Sequence, residues 1–275
     1  MVRIVQISDT HISPTKRHFY SNWPPLKAWL AAQQPDFIVH SGDITVDAAD
    51  QEEDAAHCAA LLNELGVPVL AVPGNHDVGE AGNAHQPPTR ERNERFRRYF
   101  GPDRWVRDVG GWRLIGFNTM LLGSGERDEA EQQVWLKAAM ANADGRRIAW
   151  FTHRPLFIDD PQEGDTGYWS VKPDLRKELF KLMQEYPVGI VSTGHLHRWH
   201  DMSLDGTRYI WAPSTGFLVG SDQSPPKHGS ARLGAVIYDI NGTDIKAEIV
   251  PVPNLTNYWI DDVIHEVYPP RDTKA

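Results

Sequence analysis

Five short stretches of the sequence carry side chains able to hold a divalent cation: Asp9-Thr10-His11, Gly42-Asp43, Gly74-Asn75-His76-Asp77, His153, and Gly194-His195-Leu196-His197. Each follows an apolar run that reads as a β-strand, namely Val2 to Ile7, Asp36 to His40, Val67 to Val72, Arg147 to Thr152 and Val188 to Ser192. In open α/β sheets, ligands bind beyond the carboxyl ends of the strands. These strand ends therefore bring Asp9, His11, Asp43, Asn75, His153, His195 and His197 to one rim. Imidazole and carboxylate without thiolate suit Mn, Fe, Zn or Co. A single zinc-type site takes about four ligands, so this larger set points to two metals sharing one carboxylate. Asp9 and His11, two apart just past a strand, can turn to one ion. His195 and His197 have the same spacing and can serve one ion or one each. Gly42, Gly74 and Gly194 let the backbone turn tightly beside the ions.

The elements that must position these residues alternate in type. Asn22 to Gln33 places Trp23, Leu26, Trp29 and Leu30 at helical spacing, with Pro24-Pro25 at its start. Asp50 to Leu65 is rich in Ala, Glu and Leu and stops at Gly66. Strand-helix-strand-helix-strand predicts a largely parallel sheet covered by helices. After residue 74 a loop, 79–89, precedes a helix over 90–100. Strands at 105–109 and 112–118 join through Gly110-Gly111 as a tight hairpin. Helices are predicted at 131–143 and 174–185, and later strands at 208–211, 233–240 and 244–250. Turns are expected at Asp205-Gly206 and Asn241-Gly242. The expectation is an α/β domain over 1–250 with two sheets packed face to face and flanked by helices. Residues 251–275 form a tail that docks on the body or on a second subunit.

The chain has 275 residues, 40% hydrophobic and 24% charged, which fits a globular protein and excludes a disordered one. No apolar run approaches the roughly 20 residues that cross a bilayer, and the first residues carry no leader pattern. The lone Cys58 cannot form an intramolecular disulfide, which fits a cytoplasmic setting. A net charge of −9 argues against polymeric nucleic acid as partner. The dense basic cluster, Arg90, Arg92, Arg95, Arg97 and Arg98, is broken by Glu91 and Glu94 and reads as a solvated helix face. Abundant tryptophan, and Tyr258, Trp259 and Tyr268 in the tail, are compatible with a homo-oligomer.

The ordered motif set resembles the calcineurin-like metallophosphoesterase superfamily, whose pattern is D-x-H, G-D, G-N-H-[DE], a lone His, and G-H-x-H. All five blocks occur in order between residues 9 and 197. The resemblance implies a four-layer α/β/β/α sandwich of two mixed sheets. It implies that Asp9, His11 and His197 hold one divalent ion, that Asn75, His153 and His195 hold a second, and that Asp43 bridges them. It gives His76 a catalytic role at the scissile phosphate or leaving oxygen rather than a place in the ligand set. Within the superfamily the chain looks like the bacterial class III cyclic-nucleotide and glycerophosphodiester phosphodiesterases. Protein Ser/Thr phosphatases carry an Arg soon after G-D and read G-N-H-E, whereas here Ile44-Thr45-Val46 follows and residue 77 is Asp. Many relatives read His-His or His-Pro where this chain has His153-Arg154-Pro155, and Asp where it has Asn118.

The expected chemistry is hydrolysis of a small phosphodiester by metal-activated hydroxide. Two divalent ions, two carboxylates and a hydroxide leave a single positive charge, which suits a diester monoanion. A phosphomonoesterase is the alternative, with Arg154 and Arg198 as sources of extra charge. A non-catalytic scaffold is a third reading, opposed by the intact ligand set. Tyr168 and Trp169, in the loop 156–173, can stack on a base or aryl group or anchor that loop. His40 is expected to be buried or to brace a ligand, and Asp77 to orient a neighbouring loop.

Overall fold

The computed structural model describes residues 1–270, so the last five positions of the expected tail lie outside the described residues. The first sheet has the order β11-β10-β1-β2-β3. Its strands are β1 (Val2–Ile7), β2 (Phe37–His40), β3 (Val69–Ala71), β10 (Ala235–Asn241) and β11 (Asp244–Val250). β1, β2 and β3 run parallel, while β10 is antiparallel to both β1 and β11. The second sheet has the order β4-β5-β6-β7-β9-β8. It is built from β4 (Trp105–Val109), β5 (Trp112–Gly116), β6 (Arg147–Phe151), β7 (Val188–Thr193), β8 (His200–Leu204) and β9 (Thr207–Trp211). Here β5, β6, β7 and β9 are parallel and the two edge strands antiparallel.

Alternation along the strands sorts the core into layers. Ile4, Phe37, Val39, Ala149, Phe151, Ile190 and Tyr238 meet between the sheets. Their neighbours Val5, Ile7 and Ile38 face outward onto α1 (Trp23–Gln33) and α2 (Glu52–Asn63). On the other side Ile148, Trp150 and Val191 face α5 (Arg127–Ala141) and α6 (Pro173–Glu185). The protein is thus an α/β/β/α sandwich. Among the described residues no helix is long and apolar enough to cross a membrane.

Two further helices lie near the first sheet: α3 (Asn75–Val78), one turn directly after β3, and α4 (Arg90–Phe100). α4 is less a solvated face than a brace. Arg92 reaches the Ala49 carbonyl, Arg95 those of Ala48 and Ala49, and Arg98 the Glu52 carboxylate. Arg97 forks onto Asp103 (3.0 Å twice) and reaches Asp128 (2.5 Å), whose carboxylates are buried. Asp128 belongs to α5, which starts at Arg127 rather than 131. The carboxylate of Glu129 in the same first turn accepts the Gly123 and Gly125 N–H groups.

The strand β8 escaped the sequence pattern because only one face of this edge strand is half-covered and its residues, HDMSL, are mostly polar. It pairs with β9 across Asp205-Gly206, the expected turn, with both residues at positive φ. After β11 the chain returns toward the strand ends through a 3-10 turn, Ile260–Asp262, and α7 (Ile264–Val267).

Candidate metal centre

All five motif blocks meet beyond the carboxyl ends of β1, β2, β3, β6 and β7, where the two sheets open toward the same end. The shared cause is the parallel run of these strands, which aims every following loop the same way. Asp9, His11, Asp43, Asn75, His153, His195 and His197 are all buried. Asp9, His11 and His197 offer ligand atoms within 4.8 Å of one another, as do Asp43, His153 and His195, and also His11, Asp43 and His76. In the first group His197 Nε2 lies 3.3 Å from Asp9 Oδ1 and 3.2 Å from His11 Nε2. In the second, His153 Nε2 lies 3.2 Å from Asp43 Oδ2, 3.2 Å from His195 Nδ1 and 3.3 Å from Asn75 Oδ1. His11 Nε2 is 3.8 Å from Asp43 Oδ2, so Asp43 stands between the groups.

Hydrogen bonds on the far side of the rings decide which nitrogens are bare. His153 Nδ1 donates to the Ser41 carbonyl (2.8 Å), His197 Nδ1 to that of Phe217 (2.8 Å), and His195 Nε2 to that of Tyr168 (2.9 Å). A carbonyl only accepts, so each ring proton is held there and the inward nitrogen is a lone pair. Inside the centre, lone pairs of His153, His195 and Asn75 then face the Asp43 carboxylate with no donor among them. A cation resolves that arrangement, and the His, Asp and amide-oxygen set fits a first-row divalent ion. A proton is a partial substitute. Burial opposes charge on His153, yet the Asp43 carboxylate overcomes it and pushes the imidazole up to about 9. Burial first, then the neighbouring imidazoles and, for His195, Arg154, hold His11 and His195 well below the ordinary imidazole range against the pull of Asp43. Burial also works against the Asp43 carboxylate, but His153 and His76 hold it well below its ordinary value.

The loops that carry these residues are strained. Asp9, His11, Asp43, His195 and His197 all have positive φ, between 44° and 70°. Each such non-glycine residue costs on the order of 1 kcal/mol or more, and such strain clusters at functional sites. Close approach is the second constraint. A Cβ on Gly194 would sit 2.0 Å from Ser8 Oγ and 2.7 Å from Asp9 Oδ2, and one on Gly74 only 2.1 Å from Asp43 Oδ1. Asp77 holds the loops in register by accepting from the backbone N–H groups of Gly74, Thr45 and Ile44. Burial, with the charge of Asp43, pushes Asp77 up to about 7. His40 Nε2 lies 3.1 Å from Thr10 Oγ1, which itself donates to the Ile44 carbonyl, so His40 braces the first motif loop. Burial lowers His40 to about 4 and keeps it neutral.

His76 is half-buried and sits at the mouth. Its backbone N–H donates to Asp43 Oδ1 (2.9 Å) and its Nδ1 contacts the Val46 carbonyl (3.1 Å). The cleft in front of it, about 380 Å³, is lined by Tyr168, Trp169, Phe217, Ile260, Ile264 and Tyr268 beside the histidines. Tyr168 packs on His195 with ring centres 4.5 Å apart, and its hydroxyl accepts from the Asn75 amide (3.3 Å). Trp169 edges onto Tyr168 and also packs against the Leu196–Trp211 cluster, so it both lines the cleft and anchors its loop. The two arginines are placed differently. Arg154 lies near Tyr168 but pairs with Glu80. Arg198 donates to the carbonyls of His228 and Gly229, outside the cleft lining.

Several contributors carried no sequence signal of their own. The stretch 214–217 binds back to the first motif: Thr215 N donates to the Ser8 carbonyl, Gly216 N to that of Asp9, and the Phe217 carbonyl holds His197. Tyr268 reaches His11 Nδ1 with its hydroxyl (2.8 Å). Nothing local in the sequence says that residue 268 returns to residue 11.

The family model for calcineurin-like phosphoesterases matches residues 2–199. The serine/threonine-protein phosphatase CPPED1 of Danio rerio is 30% identical over 201 residues, 69% of this chain and 62% of that protein. The match thus spans less than two thirds of that relative's length. The 3',5'-cyclic adenosine monophosphate phosphodiesterase CpdA of Escherichia coli (strain K12) is 28% identical over 228 residues, 78% of this chain and 76% of that one. Among solved structures, a dimetal phosphatase from Danio rerio superposes with a TM-score of 0.64 at 11% identity, covering 90% of this chain and 95% of its own. Purple acid phosphatase PPD1 from yellow lupin gives 0.66 at 16%, covering 100% and 57%. These structures share the fold. The ordered motifs, their convergence at one end of both sheets and the family match together place this chain in the calcineurin-like phosphoesterase family.

Proposed function

We propose that this protein hydrolyses phosphodiesters of small molecules at a two-metal centre. Residues 1–250 are the catalytic body and the segment from 251 docks on it. In this reading Asp9, His11 and His197 would hold one divalent ion, Asn75, His153 and His195 the other, and Asp43 both. When bound, such ions supply Lewis acidity to phosphoryl oxygens and lower the pKa of water so that hydroxide is available at neutral pH. The chain's own residues do the rest. Ser41, Tyr168 and Phe217 hold the imidazoles with their lone pairs inward. His76, anchored through Nδ1 on Val46, is placed to hold or pass a proton at the leaving oxygen. Phe217, Trp169 and Ile260 keep bulk water from one side of the cleft.

The observation that carries the diester reading is the charge of the cleft. Among the described residues no Lys or Arg lines it, the charge of Arg154 beside Tyr168 is paired with Glu80, and Arg198 is engaged outside it. A centre with a single net positive charge matches a diester monoanion better than a monoester dianion. The flat aromatic lining suits an apolar or ring-bearing ester group. The name of the zebrafish relative favours the second reading, a phosphomonoesterase on the same centre. Metal-stripped protein reconstituted with Mn²⁺ is to be assayed on bis(p-nitrophenyl) phosphate and p-nitrophenyl phosphate. Preference for the diester in kcat/KM is expected, and preference for the monoester sinks the reading.

A further inference from the structure

Three of the inward-facing histidines rest on backbone carbonyls, which can only accept. His11 is the exception: its Nδ1 meets the Tyr268 hydroxyl, a group that can accept or donate. That hydroxyl has no other hydrogen-bond partner among the described residues, while the Tyr268 ring lies over His76 with centres 4.4 Å apart. Tyr268 also lines the cleft.

The segment carrying it is firmly placed. Val267 is fully buried, and Ile260 and Val267 join Phe19, Val46 and Phe217 in one apolar cluster. Lys16 Nζ donates to the Val267 carbonyl (2.6 Å). Leu218 exchanges backbone hydrogen bonds with Tyr258 and Ile260. The segment lies beyond residue 199, where the family match ends.

We propose that Tyr268 positions His11 for metal and donates a hydrogen bond to the bound ester, an inference that rests on the two-metal reading above. Without metal, Tyr268 can donate to Nδ1 while Nε2 of His11 carries the ring proton toward His197, 3.2 Å away. With metal, Nε2 must be bare, the ring proton moves to Nδ1, and the Tyr268 oxygen becomes its acceptor. The phenolic hydrogen then has no partner among the described residues and is left at the cleft, where a phosphoryl or ester oxygen accepts it. Protons balance, since the imidazole stays neutral and the hydroxyl only turns.

The test is Tyr268→Phe, which keeps the ring on His76 and removes the hydroxyl alone. Mn²⁺ titration of the metal-stripped full chain by calorimetry is expected to show about a 10- to 100-fold loss of affinity at a site whose partner hydrogen bond is gone. At saturating Mn²⁺, kcat/KM on bis(p-nitrophenyl) phosphate is expected to fall about tenfold further. Unchanged Mn²⁺ affinity overturns the proposal whatever the activity does. If Tyr268→Phe melts well below the wild type, the titration is repeated at a temperature where both proteins are folded, and unchanged Mn²⁺ affinity there overturns the proposal. Wild-type protein that binds no Mn²⁺ overturns both readings. Wild-type protein that binds Mn²⁺ but cleaves neither ester overturns the function and the hydrogen bond to the ester, and the Mn²⁺ titration alone then decides the positioning of His11.

Discussion

Two clusters of polar side chains, each with buried carboxylates and amides, are built on opposite rules. Around Arg97, each buried carboxylate and side-chain amide meets a partner. The guanidinium covers Asp103 and Asp128, the Asn118 amide donates to Asn93 Oδ1, Asn93 donates to the Pro88 and Thr89 carbonyls, and Gln132 exchanges two hydrogen bonds with the Asn118 backbone. At the sheet ends, lone pairs of His153, His195, Asn75 and Asp43 face one another, and the backbone beneath is left-handed at five candidate ligands. The first cluster is complete as folded. The second is built around something that must arrive. Burial alone does not separate structure from function here; the balance of donors and acceptors does.

The comparison breaks most sharply at its two central residues. Asp43→Ala should lower esterase activity by about 10³-fold or more and reduce bound Mn²⁺, as read by kinetics and metal analysis. Wild-type metal content in that variant would show that Asp43 joins no ion. Arg97→Ala should do the reverse. It strands two buried carboxylates and costs about 3 kcal/mol or more in denaturant unfolding. Metal content and kcat/KM of the folded fraction should hold, and a parallel loss of Mn²⁺ would mean the clusters are coupled.

A smaller effect sharpens the division within the metal centre. His76→Ala should cut kcat about 10²-fold with both ions retained. Because His76 also lies within ligand distance of His11 and Asp43, loss of metal would move it into the ligand set.

The most gradual effect is in pH. Asp43 raises His153 to about 9 in the metal-free protein, above its ordinary value near 6.5. The stability from that pair is complete below about 6.5 and is lost as pH rises through about 9. Mn²⁺ must displace that proton, so its affinity should rise with pH, by up to tenfold per unit below about 9. Arg97 stays charged across this window. Calorimetric titrations at several pH values check the slope, and a flat profile would mean His153 carries no proton to displace.

The layered fold and the ligand candidates were legible because short apolar runs followed by Asp, Asn or His state both the element and its cargo. The Asn118 departure is explained by its neighbours: an amide donates toward Asp103 (3.4 Å) and Asn93, where a carboxylate would repel Asp103. Other features lay outside local pattern. The arginine run on α4 looked solvated because its partners are backbone carbonyls (Ala48, Ala49), a distant carboxylate (Asp128) or one just past the helix end (Asp103). The edge strand β8 lacked an apolar stripe. The left-handed ligand loops are occupied by Asp and His, which do not announce positive φ as glycine does.

The contact between His11 and Tyr268 joins positions 257 apart in the chain. Contacts of such separation pay the largest loop-closure entropy and form after nearer ones have shortened the path. Strands must pair, both sheets must close on each other, and the returning segment must seat before His11 has its partner. A growing or half-folded chain therefore owns the motif residues long before it owns their arrangement. On the proposed role of Tyr268, tight metal binding is then the last property acquired on folding and is lost when that segment lifts.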